Sequence, residues 1–154
     1  MTVDPSSIQR PELRDLLLAW QSRRNDRGPP LKSRFAPVDV AEQLSNMLFV
    51  EVMLEDRPRF RYRDVGVELV RLYGENFTDR YIDEMPRLFR TFAEPAYRAV
   101  FDRRDATHGS FRFVENWWIA TYERLMLPLV DEQGAVVEIA VGIYPRIRAR
   151  RADE

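Results

Sequence analysis

Cysteine is absent from this chain of 154 residues, histidine occurs once, as His108, and lysine occurs once, as Lys32. The lack of cysteine excludes disulfides, thiolate metal sites and a catalytic thiol. A transition-metal site would then have to rest on carboxylates, because a single imidazole cannot build one. We therefore expect no metal and no cofactor.

Long apolar runs are also missing. No stretch approaches the roughly 20 consecutive apolar residues that span a bilayer. The N-terminal MTVDPSSIQR lacks the basic start and apolar centre of a secretory signal. Together with the lack of cysteine, these absences predict a soluble protein of the reducing cytoplasm.

Neither sign of charge is in excess. Lysine and arginine together number 24 against 25 acidic residues, so no overall field draws the chain to nucleic acid or to an anionic membrane. The basic stretch RIRARR, residues 146–151, is short and is followed by acidic residues. Neither nucleic acid nor a membrane is therefore expected as a partner.

Flanking helices are predicted over residues 11–46. Pro11 suits the first position of a helix, and an apolar stripe follows it at helical spacing. The stripe consists of Leu13, Leu16, Leu17 and Trp20. A second, shorter helix is predicted near residues 38–46. The stripe must pack against something, which is either the sheet of its own domain or a second chain.

Two strands follow these helices. Residues 47–54, MLFVEVML, are apolar on both faces except at Glu51, which suits the centre of a sheet. In residues 59–65, RFRYRDV, aromatic and charged side chains alternate, so one face is apolar and the other is solvated or salt-bridged. Beyond Gly66 the apolar positions recur in steps of three. This change of period predicts a strand that turns directly into a helix at a glycine.

One long helix and three strands are predicted in the remainder of the chain. The helix covers residues 86–103, and Pro95 is expected to bend it or divide it. The strands cover residues 109–114, 118–130 and 135–144, with DEQG at 131–134 as a hairpin turn. Strands grouped around clustered helices predict an α+β fold, in which helices cover one face of a five-stranded antiparallel sheet.

Three motifs in this order are similar to those of PAS domains: YRDVG at 62–66, YGENFTD at 73–79 and LMLPLVDEQG at 125–134. More narrowly, the chain resembles a stand-alone alphaproteobacterial PAS-like family with an N-terminal helix, although that family often has glycine where Asp79 stands. The resemblance implies that any ligand lies between the helices and the sheet. It also implies that the N-terminal helix forms a dimer and conveys a signal.

A small-molecule pocket is one interpretation of the aromatic residues. A tyrosine hydroxyl on a covered face needs a partner, and a few polar groups in an apolar cleft are typical of a ligand site. The residues predicted to line this pocket are Tyr62, Arg63, Tyr97 and Glu123. An ordinary hydrophobic core is the simpler explanation of the aromatic residues, and both interpretations stay open here.

A catalytic role for two carboxylates is the alternative to a ligand-binding sensor. If Asp64 and Glu123 faced each other in the interior, the pKa of one would rise and the two would form an acid–base couple. Such a couple would suit a small cone-shaped α+β isomerase or dehydratase. Neighbouring arginines explain the same residues as cross-strand ion pairs. His108 is predicted to lie in an exposed loop, and no phosphate-binding loop is present.

The sequence therefore predicts a bacterial, non-enzymatic PAS-like sensor that binds a small ligand or a protein partner. The predicted division is a disordered N-terminus at 1–10, flanking helices at 11–46, the PAS-like domain at 47–145 and a frayed charged tail at 146–154. Because the chain ends soon after the last predicted strand, we expect signalling through a homodimer formed by the N-terminal helix or through a separate signalling protein.

Overall fold

The computed structural model describes residues 2–25, 28–115 and 118–146. Its α-helices are α1 (Pro11–Ser22), α2 (Val67–Tyr73) and α3 (Arg87–Arg103), and its strands are β1 (Met47–Leu54), β2 (Pro58–Val65), β3 (Thr107–Glu115), β4 (Trp118–Val130) and β5 (Val136–Pro145). Short 3-10 helices lie at Pro5–Ser7, Lys32–Arg34, Pro37–Asn46 and Ile82–Glu84. The last residues of the predicted tail, 147–154, lie outside the described residues.

The five strands form one antiparallel sheet in the order β2-β1-β5-β4-β3. The two edges, β2 and β3, are joined by the connection that carries α2 and α3. These helices therefore cross one face of the sheet, which we call the inner face. The predicted α+β fold, with a five-stranded antiparallel sheet and helices over one face, is confirmed.

The inner face carries the larger hydrophobic core. Leu69 of α2 and Tyr97 and Val100 of α3 pack against alternate residues of the strands. The strand residues in this core include Val50, Tyr62, Met126, Ile139 and Val141, and all of them are buried. Alternation along each strand places these side chains under the helices and sends their neighbours to the opposite face.

The opposite, outer face of the sheet is covered by the N-terminal segment. The stripe predicted on α1 is buried there, because Leu13, Leu16, Leu17 and Trp20 are each at most 1% exposed. Trp20 also donates its indole N–H to the carbonyl of Pro128 in β4, at 2.9 Å. Of the two predicted roles for the stripe, the structure therefore shows packing against the chain's own sheet.

Three local predictions differ from the structure. Residues 1–10 were expected to be disordered, but a 3-10 turn forms at Pro5–Ser7, where Asp4 caps the turn, and Ile8 is buried under the sheet. Pro95 does not divide α3, which continues as one helix from Arg87 to Arg103, while the alternative of a bend at Pro95 stays a prediction. His108 lies within β3 rather than in a loop, because that strand begins at Thr107.

Candidate functional site

The predicted site residues Tyr62 and Tyr97 meet on the inner face. Their rings form an edge-to-face pair with centroids 6.2 Å apart. Tyr62 also packs edge-on against Phe77 at 4.5 Å, and Phe89 and Tyr73 extend the same aromatic cluster. The two tyrosines are only 1% and 3% exposed. Aromatic side chains thus occupy the space between helices and sheet at the position where the resemblance implies a ligand.

Burial governs the ionisation of these tyrosines. It raises the pKa of Tyr62 well above 10.0, and the neighbouring Tyr97 raises it further. Burial likewise raises the pKa of Tyr97 to about 12. Both hydroxyl groups therefore stay neutral over the physiological range, which suits a core role. An acid–base role near neutral pH would need a lower pKa.

Arg63 lies on the other side of the sheet. The pairing of β1 with β2 is interrupted by a bulge, because Phe49 is opposite Asp64 while Val50 is opposite Tyr62, so Arg63 is the extra residue. The Arg63 guanidinium stands 5.4 Å from the centre of the Phe49 ring. Its Nη1 forms an ion pair with Glu138 of β5, and its Nε bonds Asp64 at 2.9 Å.

Glu123 lies on the outer face as well, but close to the start of α1. Its Oε1 accepts a hydrogen bond from the backbone N–H of Arg10 at 3.2 Å and lies 3.4 Å from Nε2 of His108. The Glu123 side chain is buried beside the first residues of α1. The four predicted site residues are therefore in three places: the two tyrosines inside, Arg63 outside on β2, and Glu123 outside on β4.

The acid–base couple of Asp64 and Glu123 is not formed. Strands β1 and β5 lie between β2 and β4, which separates the two residues by about 14 Å at the usual strand spacing of roughly 4.8 Å. The Asp64 side chain is 58% exposed and contacts Arg63. The structural basis of the isomerase or dehydratase alternative is therefore wrong, because neither carboxylate faces the other.

A cleft on the outer face lies against Arg63 and is a candidate binding site. It lies between the segment 31–37 and the sheet, encloses about 370 Å³, and we call it the outer cleft. Residues that line it include Leu31, Lys32, Pro37, Arg63, Val130 and Glu138. The segment is held in place where the N–H of Val130 donates to the carbonyl of Pro30 at 2.9 Å. The volume falls within the range of roughly 300–1,000 Å³ that is usual for small-molecule sites.

Glu138 is the only buried carboxylate in the lining of the outer cleft, at 1% exposure. Burial raises its pKa above the ordinary 4.5, and Glu51 adds to the rise, while Arg63 and Lys32 oppose it. This residue was not among the site residues predicted from the sequence. The signal was present, since Glu138 is the single charged side chain within the apolar strand β5. A buried carboxylate with a perturbed pKa in a cleft is a functional candidate.

No three histidine, cysteine or carboxylate side chains in residues 2–25, 28–115 and 118–146 gather as metal ligands would. None of the described helices combines the length and the apolar character that crossing a bilayer requires.

No protein-family model matches the sequence, and no curated protein matches it. Solved structures with a similar fold include the PAS domain of BvgS from Bordetella pertussis, at 15% identity and a TM-score of 0.47, over 66% of this chain and 75% of that chain. The photo-excited blue-light photoreceptor Vivid is 16% identical with a TM-score of 0.49, over 84% of this chain and 94% of that chain. A variant of the fungal photoreceptor VVD is 15% identical with a TM-score of 0.48, over 89% and 97%.

The described strands form one antiparallel sheet in the order β2-β1-β5-β4-β3, and a PAS domain stays the prediction made from the sequence motifs. Membership of the stand-alone alphaproteobacterial family stays a prediction.

Proposed function

We propose that this chain is a non-enzymatic signalling module in which a small ligand in the outer cleft controls how the N-terminal segment packs on the sheet. One observation supports the proposal: the two walls of the cleft belong to parts of the chain that are distant in sequence. Leu31, Lys32 and Pro37 come from the N-terminal segment, whereas Arg63 and Glu138 come from the sheet. A ligand that touches both walls favours one packing arrangement over another.

The outer cleft supports this role better than the inner face does. On the inner face, Tyr62, Phe77 and Phe89 contact one another directly. A ligand there would have to displace several buried aromatic rings, each of which contributes a large area to the core. On the outer face the cleft is already present, and the sheet contributes the charged residues Arg63 and Glu138 to its lining.

The lining of the cleft favours a small zwitterion with an apolar body, such as an amino-acid-like compound. The carboxylate of Glu138 is already paired with Arg63, so a ligand ammonium group would share this carboxylate with the guanidinium as a second charged donor. Lys32, the single lysine of the chain, supplies a positive charge for a ligand carboxylate. Leu31, Pro37 and Val130 supply apolar walls for the rest of the ligand.

The signal of ligand binding would be transmitted through α1. In the packed arrangement the apolar stripe of α1 is buried against the sheet. A second chain therefore cannot bind to it. Loosening of the segment 31–37 would free α1, and the exposed Leu13, Leu16, Leu17 and Trp20 would then bind a second copy or another signalling protein. The ligand thus selects between a packed monomer and an assembly through the N-terminal helix.

A thermal-shift screen with amino acids and their decarboxylated and N-acetylated analogues tests the binding step. We expect at least one zwitterion to raise the Tm of the wild type, and Glu138→Gln to abolish the shift. Glu55→Gln, at a side chain that is 55% exposed outside the cleft, is the matched control and should keep it. A shift of equal size in Glu138→Gln, or none in the wild type, would overturn the proposed site.

Hydrogen exchange of the α1 amides tests transmission separately. With the ligand that passes the first screen, we expect altered exchange in α1 and an altered sedimentation coefficient. Binding without any change in α1 exchange would leave the site standing and reject its role in signalling.

A further inference from the structure

Helix α3 exposes two large apolar side chains on one face. Leu88 is 74% exposed and Phe92 is 72% exposed. They are four residues apart, so they are neighbours on the helix surface. Single exposed apolar residues are common on protein surfaces, but an adjacent leucine and phenylalanine form a patch that a partner can cover.

Arginines border this patch along the same helix. An open surface cavity of about 470 Å³, formed by side chains of α3 alone, is lined by Arg87, Arg90, Thr91, Glu94, Pro95 and Arg98. Arg90 uses its Nη1 to bond the carbonyl of Asp83 at 3.2 Å, while its buried Nε has no hydrogen-bond partner in the described part of the chain. Arg98 lies 3.7 Å from Asp102, an exposed and weak contact. Three guanidinium groups against the carboxylates of Glu94 and, beside Arg98, Asp102 leave this surface with an excess of one positive charge, although the chain as a whole carries a net charge of −1.

We propose that this surface, defined by Arg87, Leu88, Arg90, Phe92 and Arg98 and called the α3 face, binds an acidic amphipathic helix of a partner protein. The apolar residues of the partner would cover Leu88 and Phe92. A glutamate or aspartate of the partner would enter the cavity and accept hydrogen bonds from the arginines, which present planar forks suited to carboxylates. Apolar anchors beside arginines are the usual centre of such an interface.

A protein helix fits the α3 face better than a lipid surface does. The positive surface also contains Glu94, whose carboxylate would face the anionic headgroups of a membrane, whereas a partner helix can place its own acidic residue beside the arginines and away from Glu94. The balanced charge of the chain supplies no long-range attraction to a membrane. The apolar patch has two large side chains, which is small for membrane insertion and sufficient for a helix-in-groove contact.

The α3 face is independent of the outer cleft. The opposite side of α3 holds the helix to the inner core through Tyr97 and Val100, so substitutions on the exposed side leave the fold intact. The outer cleft lies across the sheet from α3. Failure of either proposal therefore leaves the other untouched.

Selection of a displayed library of random helical peptides against the intact chain tests this proposal. We expect the enriched peptides to carry acidic and apolar residues at helical spacing. Their affinity, measured by fluorescence anisotropy, should fall about tenfold or more in Arg87→Glu/Arg98→Glu and in Phe92→Ser. The matched controls are Arg71→Glu/Arg80→Glu, which makes the same change in net charge at exposed arginines elsewhere, and Leu54→Ser, at a residue that is 57% exposed.

Several outcomes would overturn the proposal. One is enrichment of peptides without acidic residues, and another is equal loss of binding in the control variants. Absence of any enriched peptide also counts against it. Binding to phosphatidylserine vesicles that is lost in Arg87→Glu/Arg98→Glu, without peptide binding, would assign the α3 face to a lipid surface instead.

Discussion

Glu51 and Glu138 lie directly opposite each other on the neighbouring strands β1 and β5, on the outer face of the sheet. Like charges in this position destabilise a sheet. Each is neutralised from β2, because Arg61 contacts Glu51 at 2.5 Å and Arg63 contacts Glu138. Two carboxylates and two arginines thus form a charged row beside the outer cleft, and Glu138 is its buried member.

The first prediction concerns the pH dependence of stability. Because burial raises the pKa of Glu138 above 4.5, the folded chain binds more protons than the unfolded chain at pH values just above 4.5. The contribution of Glu138 to stability therefore falls as the pH rises through that window. We expect Glu138→Gln to gain in Tm relative to the wild type as the pH rises from 4.5, in a series of thermal melts.

Glu55→Gln serves as the control for that series, since Glu55 is exposed. A Tm difference between Glu138→Gln and the wild type that stays constant across the window, or that changes in the opposite direction, would contradict the raised pKa.

The second prediction concerns Gly66, where β2 meets α2. A Cβ at this position would stand 2.5 Å from the carbonyl oxygen of Ser45 and would also press on the carbonyl of Leu44. These atoms belong to the backbone of the 3-10 helix Pro37–Asn46, so they cannot move out of the way by a change of rotamer. We expect Gly66→Ala to lower the free energy of unfolding by at least about 2 kcal/mol, as measured by urea denaturation.

Gly109→Ala is the matched control, because a Cβ at Gly109 meets nothing within 4 Å. If Gly66→Ala were as stable as Gly109→Ala, the close approach of the 3-10 helix to this turn would be disproved.

The third prediction separates the two roles of α1. Trp20 is 1% exposed and bonded to β4, whereas Leu18 on the same helix is 52% exposed. We expect Trp20→Ala to cost about 3–5 kcal/mol of stability, and Leu18→Ala to change it by less than about 0.5 kcal/mol. Urea denaturation of both variants provides the measurement. A small cost for Trp20→Ala, together with loss of a dimer in sedimentation, would show that the stripe contacts a second chain instead.

The fourth prediction concerns the aromatic cluster at high pH. The unfolded chain loses its phenolic protons near pH 10.0, whereas Tyr97 in the folded chain keeps its proton to about 12. Stability should therefore fall as the pH rises above 10. We expect Tyr97→Phe to lose less stability than the wild type above pH 10. In a titration followed by tyrosinate absorbance, this variant should have one fewer tyrosine that ionises well above pH 10. Ionisation of all tyrosines near pH 10, while the fold persists, would argue against the packed inner core.

The sequence by itself determined the elements and most of the core. The alternation in β2 predicted that Phe60 and Tyr62 share a buried face, and the spacing on α1 predicted that Leu16 and Trp20 are buried. The change of period at Gly66 marked the boundary between strand and helix. These features follow from local periodicity, because the hydrophobic pattern of a strand or a helix repeats within a few residues.

Tertiary structure alone decided the candidate site. One pocket was predicted to be lined by Tyr62, Arg63, Tyr97 and Glu123, but strand alternation and sheet order distribute these residues over both faces of the sheet. The contact of Arg63 with Glu138 depends on a bulge and on the register of β1 with both neighbours. Which residues lie close together across a sheet depends on how distant segments pair. The local hydrophobic pattern of each strand does not predict that pairing.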